Sequence, residues 1–422
     1  MTEKLFSLAN SIWPRTGGNR SNSALSTIAG PSKGKILKKI PLPFDGTSLN
    51  TLIRGVVVAE DGSLRAVCNG SLSAISLEGE LLWSVPLAQY NTLEDDFEDE
   101  DDELDDEDDD EDDEDDEDDE ELEDEDDPED NRDFEDKHVS KIFRDHMDAE
   151  DDELDDRYIY HSIPVALSNN RTLVILRNTI LIFDSNGEVV WQIDIGELSP
   201  DDSGLSPNLT YTGELILTST QGSAYLFGDD YVKELGMFGY DVRPVAMFED
   251  NTFLITGYAE LGICRVHLDS KIVWDTGLKD ADLIPVINSR QFSALGSFNE
   301  EFSAIYSPRG ELCGRYSKPA IFSEYLNGEW IAFSESHIAR LQANGKVIWE
   351  QEIEAIGLLL RHQPIVDVNG NIYLLDNEFF MAFNGDGKRF LKLKVGSDSG
   401  PLSFVKEGLI AYISGDKLIL ME

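Results

Sequence analysis

FDSNGEVVWQI, from Phe183 to Ile193, is the stretch from which the rest of the chain can be read. An apolar strand end at Phe183 runs into an Asp-Ser-Asn-Gly turn, and the turn opens a strand carrying Trp191. Asn-Gly between apolar runs makes a tight hairpin, because both residues tolerate positive φ. The strand half recurs as GELLWSVPLA from Gly79, SKIVWDTGL from Ser270 and GKVIWEQEI from Gly345. Degenerate copies are GKILKKIPLP from Gly34, DYVKELGMF from Asp230, GELCGRYS from Gly310 and GKRFLKLKV from Gly387. The tryptophan position thus falls at residues 38, 83, 191, 235, 274, 314, 349 and 391. The spacings are 45, 108, 44, 39, 40, 35 and 42, and removing the 63 residues of 94–156 from the long gap leaves 45. A period near 40 residues built of short strands and turns is that of a propeller blade.

A second marker keeps step with the first. Seven units open on proline before an apolar strand: Pro164, Pro207, Pro244, Pro285, Pro319, Pro364 and Pro401; the eighth has Gly55-Val56 there. The distance from this marker to the next tryptophan position stays between 27 and 30 residues. Proline has no N–H for a ladder and belongs at a strand start. After Pro401 the chain supplies three strands, GLIAYISGDKLILME, and ends before a fourth. The unmatched strand Gly34–Pro41 completes that unit. The fold predicted is all-β: an eight-bladed propeller of four-stranded antiparallel blades, closed by N- and C-terminal strands, with seven blades as the alternative. The expected divisions are an irregular segment 1–30, propeller 31–93, an acidic insert 94–156 and propeller 157–422.

Charge is distributed as unevenly as the repeat is regular. The chain's 422 residues hold 34 Lys+Arg against 85 Asp+Glu, a net −51. Residues 94–156 contain 44 acidic and 4 basic residues, or −40, leaving −11 for everything else. A mildly acidic body with one extreme insert has nothing to neutralise phosphates, so nucleic acid is not an expected ligand. Cys68, Cys264 and Cys313 form no CxxC or zinc spacing and sit in or beside apolar strands, where cysteine acts as a small hydrophobe. The opening MTEKLFSLANSIWPR has neither basic leader nor cleavage site, so no signal peptide and a cytoplasmic location are expected. No apolar run approaches the ~18 residues of a membrane span.

The unit, a proline-apolar strand, two further strands and Gly-x-Φ-Φ-Trp (Φ, an apolar residue), resembles the pyrroloquinoline-quinone-type (PQQ-like) propeller repeat. The lead-in Trp13-Pro14 with Gly17-Gly18-Asn19 is similar to that of such proteins. The resemblance implies that Trp83, Trp191, Trp274 and Trp349 dock between adjacent blades as structural clamps. It also implies a choice of branch. The quinoprotein alcohol dehydrogenases hold a quinone and calcium on the central axis beside an adjacent cysteine pair, which this chain lacks. The non-enzymatic scaffold branch fits better, so no enzyme activity and no cofactor are expected. The alternative is a quinone- or calcium-dependent oxidoreductase with an axial channel site.

Function is therefore sought where the repeat is interrupted. The tract 95–127 is almost purely Asp and Glu, cannot bury a core and stays hydrated. It reads as a solvated spacer, as a lure for a basic protein partner, or as a weak calcium buffer. Next to it, Phe134, Val139, Ile142, Phe143 and Met147 fall near helical spacing, so a short amphipathic helix over 134–148 is predicted, docked on its own propeller or offered to a partner. Residues just before the strand-start marker point to the channel mouth in a propeller; Arg54, His161, Arg243, Lys318, Arg361 and His362 are the candidates there. They would line the mouth as ordinary polar residues, bind an anion, or receive part of the acidic insert. No HxxxH or HxH pair is present, so no metal site is assigned, and the Asp-rich turns DSNGE and NGDG are read as hairpin turns. The functional expectation is a non-catalytic scaffold for protein–protein interaction, with contact on the face carrying the acidic insert.

Overall fold

The computed structural model describes residues 4–43, 54–90, 161–176, 179–195, 207–219, 222–238, 245–256, 263–276, 283–297, 302–353, 362–376, 379–396 and 399–422. Two units separate: Met1–Asn91 with Tyr158–Glu422, and Thr92–Arg157. The insert 94–156, with the helix expected over 134–148 and its residues Phe134, Val139, Ile142, Phe143 and Met147, lies outside the described residues.

The first unit is the predicted propeller: eight four-stranded antiparallel sheets. The inner strands of blades 1 to 8 are Gly55–Val58, Val165–Ala166, Asn208–Leu209, Ala246–Met247, Val286–Ile287, Ile321–Tyr325, Ile365–Val366 and Ser403–Lys406. The outer strands of blades 1 to 7 are Leu81–Pro86, Val189–Asp194, Val232–Met237, Ile272–Asp275, Leu312–Tyr316, Val347–Glu352 and Arg389–Lys394. Blade 8 takes its outer strand from the other end of the chain. Ile36–Pro41 pairs antiparallel with Lys417–Met421, in register from Lys38↔Leu420 to Pro41↔Lys417. Lys35 and Glu422 exchange both backbone bonds, at 2.8 and 2.9 Å, and the ring is closed.

The core lies between blades rather than within any one of them. Val67, Leu72, Val174 and Leu181 join blades 1 and 2. Leu173, Ile182, Leu215 and Phe227 join blades 2 and 3. The largest cluster spans the closure, with Val56, Tyr373, Phe404 and Leu420 from blades 1, 7 and 8. Each sheet is buried on both faces by its neighbours, so the second and third strands read as continuous apolar runs rather than alternating ones. Leu64–Cys68 and Ser71–Ile75 are buried at every position.

A feature absent from the sequence reading sits at the tryptophan position. Each blade has one register shift between its third and outer strands, for example between Ala74 and Ile75, Ile182 and Phe183, or Arg340 and Leu341. In blade 1 Trp83 faces Ala74 and Leu81 faces Ile75, which leaves Leu82 as the extra residue. Bulges turn the strand and re-aim its side chains. In blades 1, 2, 4, 6 and 7 the bulged apolar residue points outward, so Leu82, Val190, Val273, Ile348 and Phe390 are all exposed, whereas in blade 3 the extra residue is Leu235 itself, which is buried. The indole next to it turns sideways. Trp83 donates to Ser185 O at 2.7 Å, Trp274 to Pro308 O at 3.1 Å and Trp349 to Gly385 O at 2.9 Å, each in the turn of the next blade. A glycine sits against each ring: a Cβ at Gly187, Gly310 or Gly387 would meet the indole at 2.7–2.9 Å. Trp191 differs. Its ring meets Phe6 of the N-terminal segment edge-on, with centroids 5.3 Å apart.

Gly387→Ala puts a Cβ onto Trp349 at a backbone φ of +83°. Gly62→Ala at φ +80° meets nothing within 4 Å, and so registers only the left-handed backbone, about 1–2 kcal/mol. Gly387→Ala is expected to cost more than Gly62→Ala by urea denaturation, and the excess should vanish in a Trp349→Ala background. An unchanged excess there would place the clash elsewhere. Alkaline pH gives a second test. Burial pushes the Cys68 thiol up to about 11, and the Cys264 thiol and Tyr412 hydroxyl up to about 12. It drives Tyr316 and Tyr373 up further, aided by Glu350 and Asp367 respectively. The unfolded chain ionises these groups first, so their contribution is complete below about pH 9 and is lost as pH rises toward 12. Arg15, Arg20 and Arg65, pushed down by burial, act in the opposite sense and offset part of this loss. The urea midpoint should therefore fall between about pH 8 and about pH 11; a flat profile would contradict these burials.

Candidate functional site

The central axis is the first place to look for a site, and the chain fills it itself. Residues 4–30 have little regular structure, as expected, but they are not a loose lead-in. Phe6, Trp13, Arg15, Asn22, Ser23 and Ala24 are all buried. The reason is visible in the hydrogen bonds. The inner edge of an innermost strand has no sheet neighbour, so its backbone groups need partners from elsewhere. Residues 7–29 supply them as one continuous strap. Trp13 O accepts from Val58 N of blade 1 at 2.8 Å, and Pro14 O from Ala166 N of blade 2 at 2.8 Å. Arg20 O accepts from Met247 N of blade 4, Ser21 O from Ile287 N of blade 5 and Ser23 O from Glu324 N of blade 6, at 2.7–2.9 Å. Ala24 O accepts from Val366 N of blade 7, and Ala29 O from Gly408 N of blade 8, both at 2.9 Å. Blade 3 is reached through side chains: the Asn208 amide donates to Arg20 O at 2.7 Å, and Arg15 Nε donates to Pro207 O at 3.4 Å. Every blade is bound.

The deepest part of the strap is polar. Arg15 Nη1 donates to Asn19 O at 2.6 Å and to the Asn22 side-chain oxygen. Burial pushes this guanidinium down to about 9, and the charge of Arg20 adds to the effect. The Asn22 amide donates to Pro285 O at 3.0 Å, and Asn22 O accepts from Gln363 Nε2 at 2.5 Å. Two glycines let the turn form in so narrow a space. Gly18, at φ +78°, has Trp13 ring atoms 3.0 Å from where a Cβ would stand, and Gly17, at φ +75°, lies against Gln363. The exit of the strap is fixed by Asp367, a fully buried carboxylate. It accepts from Gly30 N, Asn369 N, Asn371 N, the Asn371 amide and the Tyr373 hydroxyl, at 2.8–3.0 Å.

The predicted channel-mouth residues do not gather into one basic ring. Arg54 lies against the strand start of blade 8, where a Cβ on Gly400 would come within 2.7 Å of Arg54 O. His161 is buried and bridges to Leu176 of its own blade. His362 Nε2 is 2.6 Å from Ser399 O. The Lys318 ammonium pairs with Glu350 at 2.7 Å, on the outer strand of blade 6. Arg243 and Arg361 lie outside the described residues. Gln363 is the strand-start residue that reaches the axis, and it is spent on the strap and on Phe322 O. Burial pushes the Glu324 carboxyl up against the stabilising Ser289 N–H, but this acid faces the strap and stands alone. Among the described residues no group of three His, Cys, Asp or Glu is placed to hold a metal ion. Cys68 and Cys264 are buried and Cys313 half-buried, all as free thiols. No described helix is long and apolar enough to cross a membrane.

Sequence reasoning missed the strap, although a signal was there. From Thr16 to Gly30 nearly every residue is Gly, Ser, Asn, Ala or Thr, which is what a chain threading a narrow axis needs.

No protein-family model matches this sequence, and no curated protein matches it. Solved structures with similar folds do exist. BamB from Moraxella catarrhalis aligns with a TM-score of 0.59 at 11% identity, covering 92% of this chain and 99% of that one. The Dos1 propeller aligns at 0.48 and 9% identity over 60% of this chain and 76% of that one. Virginiamycin B lyase from Staphylococcus aureus aligns at 0.46 and 11% identity over 61% and 93%. The chain is a β-propeller similar in fold to BamB.

Proposed function

We propose that the protein is a non-catalytic propeller scaffold that binds a protein partner, with contact on the face where the chain passes from blade 1 to blade 2. One observation carries the reading: the axis is occupied by Trp13, Arg15 and Asn22, hydrogen-bonded to opposing blades. The family that the repeat resembles puts its quinone and calcium there, and fold alone assigns no activity. Here that volume holds buried side chains of the strap, and a flat cofactor would have to displace the strap from all eight blades. The strap lies at the ends of the inner strands where they turn back into their blades. The opposite ends, where one blade passes to the next, are the side from which residues 94–156 depart, with 44 acidic side chains to attract a basic protein.

Two measurements test this on the purified full chain. Adding the quinone with calcium should leave the melting temperature and the visible spectrum unchanged. A thermal shift with a new absorbance band would replace the scaffold by the oxidoreductase. In affinity capture at low ionic strength, partners held by the full chain should be lost when residues 94–156 are exchanged for a short Gly/Ser linker. Equal retention by both proteins would remove the insert face as the contact.

A further inference from the structure

A second surface has its own chemistry, on the rim. Each outer strand can be compared over nine residues centred on its tryptophan position. The net charge is −1, −2, 0, 0, +1 and −1 for blades 1 to 6, but +4 for 387–395 of blade 7 and +3 for 34–42 of blade 8. These last two windows contain no acidic residue. The strands are neighbours: a Cβ on Gly34 would fall 2.5 Å from Leu391 and 2.8 Å from Leu393. In a body that is otherwise net negative, the cations are collected at one seam.

Four of them also lack an ion pair. Of the five cations in the other six windows, Lys271 pairs with Asp269 at 2.6 Å and Lys318 with Glu350 at 2.7 Å. Among the described residues Lys35, Lys39, Lys388 and Arg389 have no ion pair, and all four are exposed. Lysine on a strand edge also discourages edge-to-edge pairing. Six edges of this ring manage with little or no positive excess, so edge protection does not explain the concentration. Apolar residues stand among the charges: Ile36 is 38% exposed, Leu37 42% and Phe390 42%. Beside them is a groove of about 460 Å³ lined by Gly30, Ser32, Asn369, Asn371, Phe390 and Glu407. Glu407, its carboxylate, is turned to the Ala29 N–H at 3.2 Å.

We propose that the outer strands of blades 7 and 8, with this groove, dock an extended acidic polypeptide segment of a partner protein. The charge complement sets the sign of the ligand. The free edges of Ile36–Pro41 and Arg389–Lys394 offer backbone donors and acceptors to an extended chain. Ile36, Leu37 and Phe390 take apolar side chains alternating with the acidic ones, and the amides of the groove take its polar backbone. A lipid surface fits less well, because the basic seam is confined to two neighbouring outer strands and the rest of the body is acidic. This surface is separate from the insert face proposed above, and either can fail without the other.

The probe is a fluorescein-labelled peptide of alternating glutamate and valine, titrated into the full chain at low ionic strength and read by anisotropy. Binding is expected, weakening steeply with added salt and roughly tenfold or more in a Lys388→Glu/Arg389→Glu variant, as for charges reversed at a docking surface. Lys346→Glu, on the turn before the blade 6 outer strand, should bind like the parent. Melting temperatures within ~2 °C of the parent show that the variants fold. Lack of binding by the parent, or binding indifferent to both reversals, overturns the proposal. Co-sedimentation of the parent with phosphatidylserine vesicles, lost in the double variant while the peptide does not bind, overturns it in favour of a membrane surface.

Discussion

The constraint on which this ring depends is the inner edge of its blades. A propeller arranges sheets around an axis so that each innermost strand shows unpaired N–H and C=O groups to the centre. Leaving such a group buried and unsatisfied costs on the order of 1–3 kcal/mol. Water in an open channel is one solution. Here the solution is a peptide: the strap meets Val58, Ala166, Met247, Ile287, Glu324 and Val366 with its own carbonyls. The axis thereby becomes core, and Arg15 is buried there on carbonyl and amide oxygens.

The rim follows a different rule. Each blade must hold the next one, and in blades 1, 4 and 6 the bulge before the tryptophan turns the indole toward the neighbouring turn. The same bulge pushes one apolar residue outward. Exposed Leu82, Val190, Val273 and Ile348 are therefore by-products of clamp geometry and need no ligand to explain them. At the blade 7–8 seam the bulged residue, Phe390, stands in a window that carries +4 and no acidic residue. That difference separates a structural regularity from a recognition surface.

The blades were legible in the sequence because two independent markers recur at a near-constant offset. The eighth blade was legible because the strand missing at one end is present at the other. Each marker has a local cause: proline cannot sit inside a ladder, and Asn-Gly makes a tight turn. The strap was not legible. Its residues follow neither the two-residue nor the 3.6-residue period, since each meets a different blade. Small polar side chains look the same in a loose tail and in a packed axis. The partners of the channel-mouth residues were not legible for a related reason. Position before a strand start fixes where a backbone lies, but not that the Lys318 side chain finds Glu350 on the next blade. Trp191 matches its repeat relatives in sequence yet packs on Phe6, a residue outside the repeat.

The strap and the closing strand share a consequence for how the protein is made. Both lie within the first 43 residues and leave the ribosome before any blade. The Ala29 N–H waits for Glu407, 378 residues later, and Lys33 waits for Glu422, 389 residues later. Contacts of such separation form last, because the loop they close must first be ordered. Trp13 O meets Val58 N only 45 residues on, so the strap can cover the first blades as they are made. The Trp13 ring gains Phe404 only when blade 8 is present, and the closing strand waits for the same blade.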